Sequence, residues 1–403
     1  MFKQLERKIT FFLIFIEASG GVLFPPLISL LGRERGLSVF EISILFSILS
    51  VSLLISGYIL GSLSDRFGRK AMLITSAIAG MLGWLVIGQT VLFVGVAIGA
   101  ALLGIAAACL PVAQSFFTQQ ESVSAKRTIT LGTIGMIVGL SAIVAPLAAS
   151  FLSSDQYSNL FYILAGFFAL ETIALYFFFH EDKKFTIQKP IPFSYEKEIE
   201  SHISLVPGYL AWFIFGIAMS GTNAVFTLYM KEVISLSARD IFFLFTAGGL
   251  ITALSQNPGI KHFWFKVFNE RKIIFLCPIA VAAGFFLMAI PFLPIFLMGY
   301  FIEQASRPVF RVTMLSDLAG RVDKKKQGMA LGALSSISAV AMIVGPLLFG
   351  AIFTLAPSFT LISAGLCTLI SIFFIMALLA REEHLTTSIF KLIQAVYRQT
   401  FKL

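Results

Sequence analysis

Residues 61–70 read GSLSDRFGRK and stand between two apolar runs, 40–63 and 70–89. Gly61 and Gly68 allow a tight reversal of the chain. Asp65 is a helix-capping residue type, able to receive backbone N–H groups from a neighbouring helix. Arg66, Arg69 and Lys70 crowd positive charge into the same turn. The runs on either side are about 20 residues long, the length of an α-helix that crosses a bilayer. A basic, glycine-containing turn between two such runs belongs to a helical membrane protein that keeps its basic turns on the cytoplasmic side.

Composition extends this reading to the whole chain. Of 403 residues, 58% are hydrophobic and 13% charged, where soluble chains carry about 25% charged residues. Lipid is therefore the solvent for most of the protein. The net charge of +9 fits basic cytoplasmic loops and does not imply a nucleic-acid partner. Cys109, Cys277 and Cys367 lie far apart in apolar segments, without CxxC spacing. That argues against a disulfide framework or a zinc site and favours packing roles. MFKQLERK at the N-terminus runs into about 23 mostly apolar residues, too long for a signal-peptide core, so this first segment is expected to be a retained helix.

Every backbone polar group in lipid needs an internal partner, so the apolar runs must be helices or barrel strands, and their length selects helices. The expected fold is an all-α membrane protein with 12 transmembrane helices, near 8–31, 40–63, 70–89, 92–117, 129–152, 157–180, 206–230, 239–261, 272–290, 293–317, 328–353 and 357–380. With the N-terminus inside, the cytoplasmic segments hold 24 Lys and Arg and the opposite side four, namely Arg33, Arg35, Lys231 and Arg239. That bias places both termini in the cytoplasm. The segment 181–205 is polar and mixed in charge, a cytoplasmic linker between two six-helix bundles, 1–180 and 206–380. In the tail, 381–403, Ile389, Leu392, Ile393, Val396 and Tyr397 fall at helical spacing with Lys391, Arg398 and Lys402 among them. The tail is expected to be an amphipathic helix on the cytoplasmic leaflet.

The two halves repeat each other. KRTITLG and VAPLAAS in the first match KKQGMALG and IVGPLLFG in the second, pairing Gly132 with Gly332 and Pro146 with Pro346. ACLPV at 108–112 echoes ASRPV at 305–309, and GLSVFEI at 36–42 echoes SLSARDI at 235–241. Two related bundles imply a pseudo-two-fold axis along the membrane normal, with solute bound near the midplane.

GSLSDRFGRK resembles the loop signature of the major facilitator superfamily, matching at Gly61, Leu63, Asp65, Arg66, Gly68, Arg69 and Lys70. With twelve expected helices, a central linker and a six-plus-six repeat, the resemblance covers essentially the whole chain. It implies that this loop helps close the cytoplasmic side. Its Asp would meet the start of the eleventh helix, and its second Arg an acid near the end of the fourth, by position Glu121. It also implies a central cavity lined by the first, fourth, seventh and tenth helices.

FIEASGGVLFPPL, 15–27, places Glu17 about 14 Å into the first helix at 1.5 Å per residue. An unpaired carboxylate at that depth is costly and tends to be functional, here as a group that loads and releases a proton. A static partner for a buried Arg is the plainer alternative. Glu17, Gly20 and Pro26 match the first helix of drug–proton antiporters of this superfamily, with Glu where Asp is more usual. EQASRPVFR, 303–311, puts Glu303, Arg307 and Arg311 at i, i+4 and i+8 on one helix face. That face cannot meet lipid, because the arginines lie about 6 and 12 Å from Glu303 along the helix. Two roles are open: an arginine clamp on an anionic solute, or neutralisation of Glu303 and Glu17 in an internal network. Gln114 and Asn223 are candidate solute-orienting residues, or polar packing between helices. Glu171 has no assigned role.

The likeness is incomplete. No Arg stands near Ala100 in the fourth helix. The fifth helix has Ala145-Pro146-Leu147-Ala148-Ala149 where antiporters show Gly-Pro-x-x-Gly-Gly. Gly345, Pro346 and Gly350 form a better copy in the eleventh helix, and small residues there permit close helix contact. The functional expectation is a secondary transporter of a small organic solute in the cell membrane, working by alternating access, with proton-coupled efflux through Glu17 and Glu303. An organic-anion carrier using Arg307 and Arg311 is the alternative, and a non-transporting receptor or scaffold a third. Enzymatic chemistry is not expected, because His180, His202, His262 and His384 pair with no nucleophile, metal cluster or phosphate loop. The expected partners are solute, protons and lipid; a monomer without metal or cofactor is expected.

Overall fold

The computed structural model describes residues 2–108, 124–152, 156–179, 195–256, 263–322 and 327–382. Among these, all regular structure is helical. The long helices are α1 (Phe2–Glu34), α2 (Val39–Phe67), α3 (Arg69–Gln89), α4 (Phe93–Ala107), α5 (Ser124–Ser150), α6 (Asn159–Phe178), α7 (Tyr195–Glu232), α8 (Ala238–Ser255), α9 (Glu270–Met288), α10 (Leu293–Gly320), α11 (Gln327–Leu355) and α12 (Pro357–Glu382), and Phe265–Val267 adds one short turn before α9. Among the described residues, ten helices are long and apolar enough to cross a membrane. Of the other two long ones, α4 is apolar but spans 15 described residues, and α10 carries Glu303, Arg307, Arg311 and Asp317 along its 28. Gln114, Glu121, most of the 181–205 linker and residues 383–403 of the tail lie outside the described residues.

Local chemistry starts the helices where the repeat predicts. Gly36 sits at φ 86° before α2. Ser38 Oγ then accepts the Glu41 N–H at 3.2 Å, while the Glu41 carboxylate accepts the Ser38 N–H at 2.7 Å. This reciprocal cap satisfies two helix-end donors. At the echoing stretch, Ser235 sits at φ 62° before α8. There Ser237 Oγ accepts the Asp240 N–H at 3.2 Å and Asp240 accepts the Ser237 N–H at 3.3 Å. The two ends are built alike, down to the left-handed residue that precedes them.

The same correspondence appears in packing. A Cβ added to Gly99 on α4 would stand 2.9 Å from the Gly83 carbonyl oxygen on α3. In the second half, a Cβ on Gly284 of α9 would stand 2.8 Å from the Gly299 carbonyl oxygen on α10. Small residues at these crossings let backbones approach closely, as they do where lipid supplies no hydrophobic drive for helix association.

Two compact units result: Met1–Lys189 with Ala224–Leu250, and Pro190–Asn223 with Ile251–Leu403. In the first, Leu13, Ile14, Leu73, Ala77 and Leu175 of α1, α3 and α6, with Phe179 just past the end of α6, form one buried cluster. Serine hydroxyls tie α2 to α4, Ser52 donating to the Ala101 carbonyl at 2.6 Å and Ser56 to that of Gly104 at 3.2 Å. In the second, Ser220 of α7 donates to the Ala341 carbonyl of α11 at 2.7 Å, and Trp212 donates to Ser338 at the same distance. Large apolar side chains such as Tyr58, Met136, Leu170, Leu355 and Phe359 stand exposed along the helices, which suits a lipid surround.

Candidate functional site

The basic turn between α2 and α3 is made at one glycine. Gly68 sits at φ 92°, a left-handed conformation that favours glycine, and its N–H closes α2 on the Ser64 carbonyl at 3.1 Å. Gly61, expected to help the reversal, instead lies inside α2, where a Cβ would meet nothing within 4 Å. Arg69 is buried at the start of α3. Lys70 donates to the Tyr176 carbonyl at 2.8 Å and lies over that tyrosine ring, fastening α3 to the end of α6.

At the other end of these helices, Arg35 donates to the carbonyls of Ile87 and Thr90 at 2.7 and 2.9 Å and lies 5.2 Å from the Phe161 ring centroid. Burial draws its guanidinium down from the ordinary value, though an Arg stays charged at any working pH. Close by, Arg33 at the end of α1 pairs with Glu232 at the end of α7, Nε to carboxylate at 2.7 Å.

Glu17 lies on α1 in the first unit. Its Oε2 is buried and accepts no hydrogen bond from any described residue. Near it lies a residue to which the sequence pattern assigns no role. Glu171 on α6 is fully buried, both of its carboxyl oxygens are likewise without hydrogen-bond partners among the described residues, and it lies close enough to Glu17 for the two charges to interact. Gly20, one turn along α1, leaves room for the edges of Trp84 and Phe168.

Glu303 lies on α10 in the second unit, 3% exposed. Arg307 Nη1 stands 3.1 Å from its Oε1. That oxygen accepts no aligned hydrogen bond from any described residue, so the contact is an ion pair by distance. Arg307 also donates to the Gln304 side-chain carbonyl at 3.3 Å, which accepts the Thr252 hydroxyl of α8 at 3.0 Å. Gln304 and Thr252 are not among the residues that sequence pattern singles out; the polar Gln304 beside Glu303 is the one available signal. Arg311, one turn on, is exposed and close enough to Arg307 for like charges to repel. Among the described residues it makes no salt bridge. Asn223 is exposed on α7.

Pro146 lies inside α5 and Pro346 inside α11. Beside the latter, a Cβ on Gly221 of α7 would stand 2.7 Å from the Gly345 carbonyl oxygen, and Gly345 itself abuts Ser220. Gly350 accepts the Thr354 hydroxyl at 2.8 Å.

The family model of the Major Facilitator Superfamily matches residues 10–306. Multidrug resistance protein 2 of Bacillus subtilis (strain 168) is 24% identical over 397 residues, covering 92% of this chain and 96% of that protein. Quinolone resistance protein NorA of Staphylococcus aureus (strain MRSA252) is 22% identical over 357 residues, covering 86% and 89%. Among solved structures, a D-xylose–proton symporter superposes with a TM-score of 0.73 at 12% identity, covering 93% of this chain and 97% of that one. Apolar helices, a basic turn closed at Gly68, halves that repeat in caps and glycine contacts, and acids held inside the helices all agree with these matches: the chain is a multi-pass transporter of the cell membrane and belongs to the major facilitator superfamily.

Proposed function

We propose that this transporter exports a small, drug-like organic solute in exchange for protons, by alternating access between two six-helix bundles. In this reading α4 and α10 complete twelve crossings, and both termini lie in the cytoplasm, as the 24-to-4 division of Lys and Arg favours. The loop at Asp65 closes the cytoplasmic side, and the Arg33–Glu232 pair, at the opposite helix ends, belongs to the outer one.

The observation that carries the proposal is the state of Glu17, a carboxyl group inside a membrane helix with a buried oxygen and no hydrogen-bond partner among the described residues. Such a group needs a proton or a cation, and exchange of one for the other is antiport. Resemblance to proteins named for multidrug and quinolone resistance supports a drug-like solute. Glu303 contributes a second exchangeable site, because protonation would loosen its hold on Arg307.

The test is flux in proteoliposomes under an imposed pH gradient. Wild type should drive solute uphill, and Glu17→Gln should abolish the gradient-driven component; undiminished pumping in that variant would remove Glu17 from the mechanism. The second reading, an organic anion held by arginines, is favoured by Arg311, which makes no salt bridge among the described residues beside a partly exposed Arg307. A panel of cationic, neutral and anionic solutes separates the two. Arg307→Gln should lower all fluxes alike if the arginine is part of an internal network, and anion flux selectively if it is a clamp.

A further inference from the structure

Three helices of the first unit carry four buried polar groups that are left unsatisfied among the described residues. Glu171 is 0% exposed, and Ser76 and Trp84 are each 1% exposed. The Glu171 carboxyl oxygens, Ser76 Oγ, Trp84 Nε1 and Glu17 Oε2 all lack hydrogen-bond partners among the described residues. Buried polar atoms are nearly always paired, and exceptions call for a specific cause.

The packing register puts Glu17, Glu171 and Ser76 at one depth, with the Trp84 indole nitrogen about one turn along, beside Gly20. A Cβ on Gly20 of α1 would lie 3.5 Å from Phe168 of α6 and 3.4 Å from the Trp84 indole nitrogen of α3. Leu13 and Ile14 of α1 share a cluster with Leu175 of α6 and Phe179 at its end. Moving back along α1 therefore means moving forward along α6, and Glu17, three residues before Gly20, falls level with Glu171, three after Phe168. The same holds for α3. Gly88 meets Phe161, Gly80 meets Phe168 and Lys70 meets Tyr176, which brings Ser76 level with Glu171.

No basic group shares this depth among the described residues. Of the helices packed on α1 and α6, α4 carries no titratable side chain, and α5 only Lys126 and Arg127 in its first turn. On α2, Glu41 lies at one end, Asp65 and Arg66 at the other, and Tyr58 is 83% exposed. On α3, Arg69 and Lys70 open the helix. On α6, Tyr162 donates to the Gly88 carbonyl and Tyr176 lies beside Lys70. On α1, Lys3, Glu6, Arg7 and Lys8 lie in the first turns, nine or more residues and so about 13 Å or more along the helix from Glu17; at its far end Arg33 is held by Glu232 of α7, and Arg35 by Ile87 and Thr90.

We propose that Glu17 and Glu171 form a single proton-binding carboxyl pair in the N-terminal unit, with Ser76 and Trp84 as the donors that receive its negative charge. Two interacting carboxyls at one depth, with no cation beside them among the described residues, resist ionising together, so they titrate as a unit. Glu171 keeps a proton available to Glu17, and a cationic solute would displace it. The proposal rests on the proton-coupled reading above but concerns binding rather than transport.

The test is infrared difference titration of the purified full-length protein, following the protonated-carboxyl C=O bands of wild type, Glu17→Gln and Glu171→Gln. Each Gln variant should remove one band and move the midpoint of the remaining carboxyl by about one pH unit or more. By linkage the two displacements should be equal. Glu171→Asp, which retains the acid, should keep the coupled titration. If Glu171→Gln does not fold, Glu17→Gln read at Glu171 reports the same coupling. Midpoints unmoved by the partner's removal would overturn the pair, as would two carboxyls that never titrate between about pH 4 and 10. If the titrations are coupled but solute flux ignores a proton gradient, the transport reading fails and the pair stands.

Discussion

A carboxyl group kept from water must hold a proton or meet a cation, and the two intramembrane acids singled out from sequence meet that demand differently. Glu303 has Arg307 one turn away at 3.1 Å, a partnership that the i, i+4 spacing of the two residues makes plain. Removing the arginine leaves the acid buried. Arg307→Ala should therefore destabilise the protein by about 2–3 kcal/mol, less than a fully buried pair would lose because Arg307 is partly exposed. Glu303→Gln added to it should restore much of the loss, which thermal unfolding in detergent would measure. Glu17 is legible in the sequence as an acid out of place, but its neighbour is not. Glu171 lies on the sixth helix, far along the chain, and no local spacing connects residues brought together by the packing of α6 against α1 and α3. Sequence shows Arg35 only as one of four basic residues on the side opposite the expected cytoplasmic one. Its two carbonyl bonds and its stacking on Phe161 emerge from the fold alone. Arg35→Ala should cost about 2 kcal/mol, the scale of charge-assisted hydrogen bonds, and Arg35→Lys should not restore it, since an ammonium lacks the planar fork. Unfolding midpoints of the three proteins decide this.

At the scale of elements, the internal repeat is visible in four short matches, and the structure gives one of them a physical meaning. Residues 36–42 and 235–241 resemble each other because each must turn the chain through a left-handed residue and cap a helix with a Ser–acid pair. The glycine crossings are not legible in this way. Glycines are common in apolar segments, and which of them touch another backbone depends on helix rotation, which sequence does not state. Gly83 with Gly99 and Gly284 with Gly299 are equivalent contacts in equivalent helix pairs. Leucine at Gly99 or at Gly284 would force the backbones apart and should destabilise each by about 1–3 kcal/mol. Leucine at Gly61, which has open space around it, should change stability little. A melting series over these variants checks both halves against one internal control. The turn at 61–70 shows how far pattern reaches: it locates the reversal correctly but gives part of the work to Gly61, whereas Gly68 alone has the backbone conformation that requires glycine.

For the whole molecule, composition alone separates a lipid-embedded chain from a soluble one, and the basic turn with the repeat leads to the family. What composition leaves open is which charges move. Ionisable groups inside apolar helices are expensive, and a transporter that couples two fluxes has a use for them that a passive carrier lacks. The central claim is that proton exchange at the N-terminal carboxyls drives solute export. It is tested most directly by measuring proton and solute fluxes together in proteoliposomes across a range of opposing gradients. The account predicts a fixed proton-to-solute ratio in the wild-type protein, and in Glu17→Gln a solute flow that runs only downhill, without accompanying protons. Solute pumped at the wild-type ratio by Glu17→Gln, or a wild-type flux indifferent to the proton gradient, would contradict it.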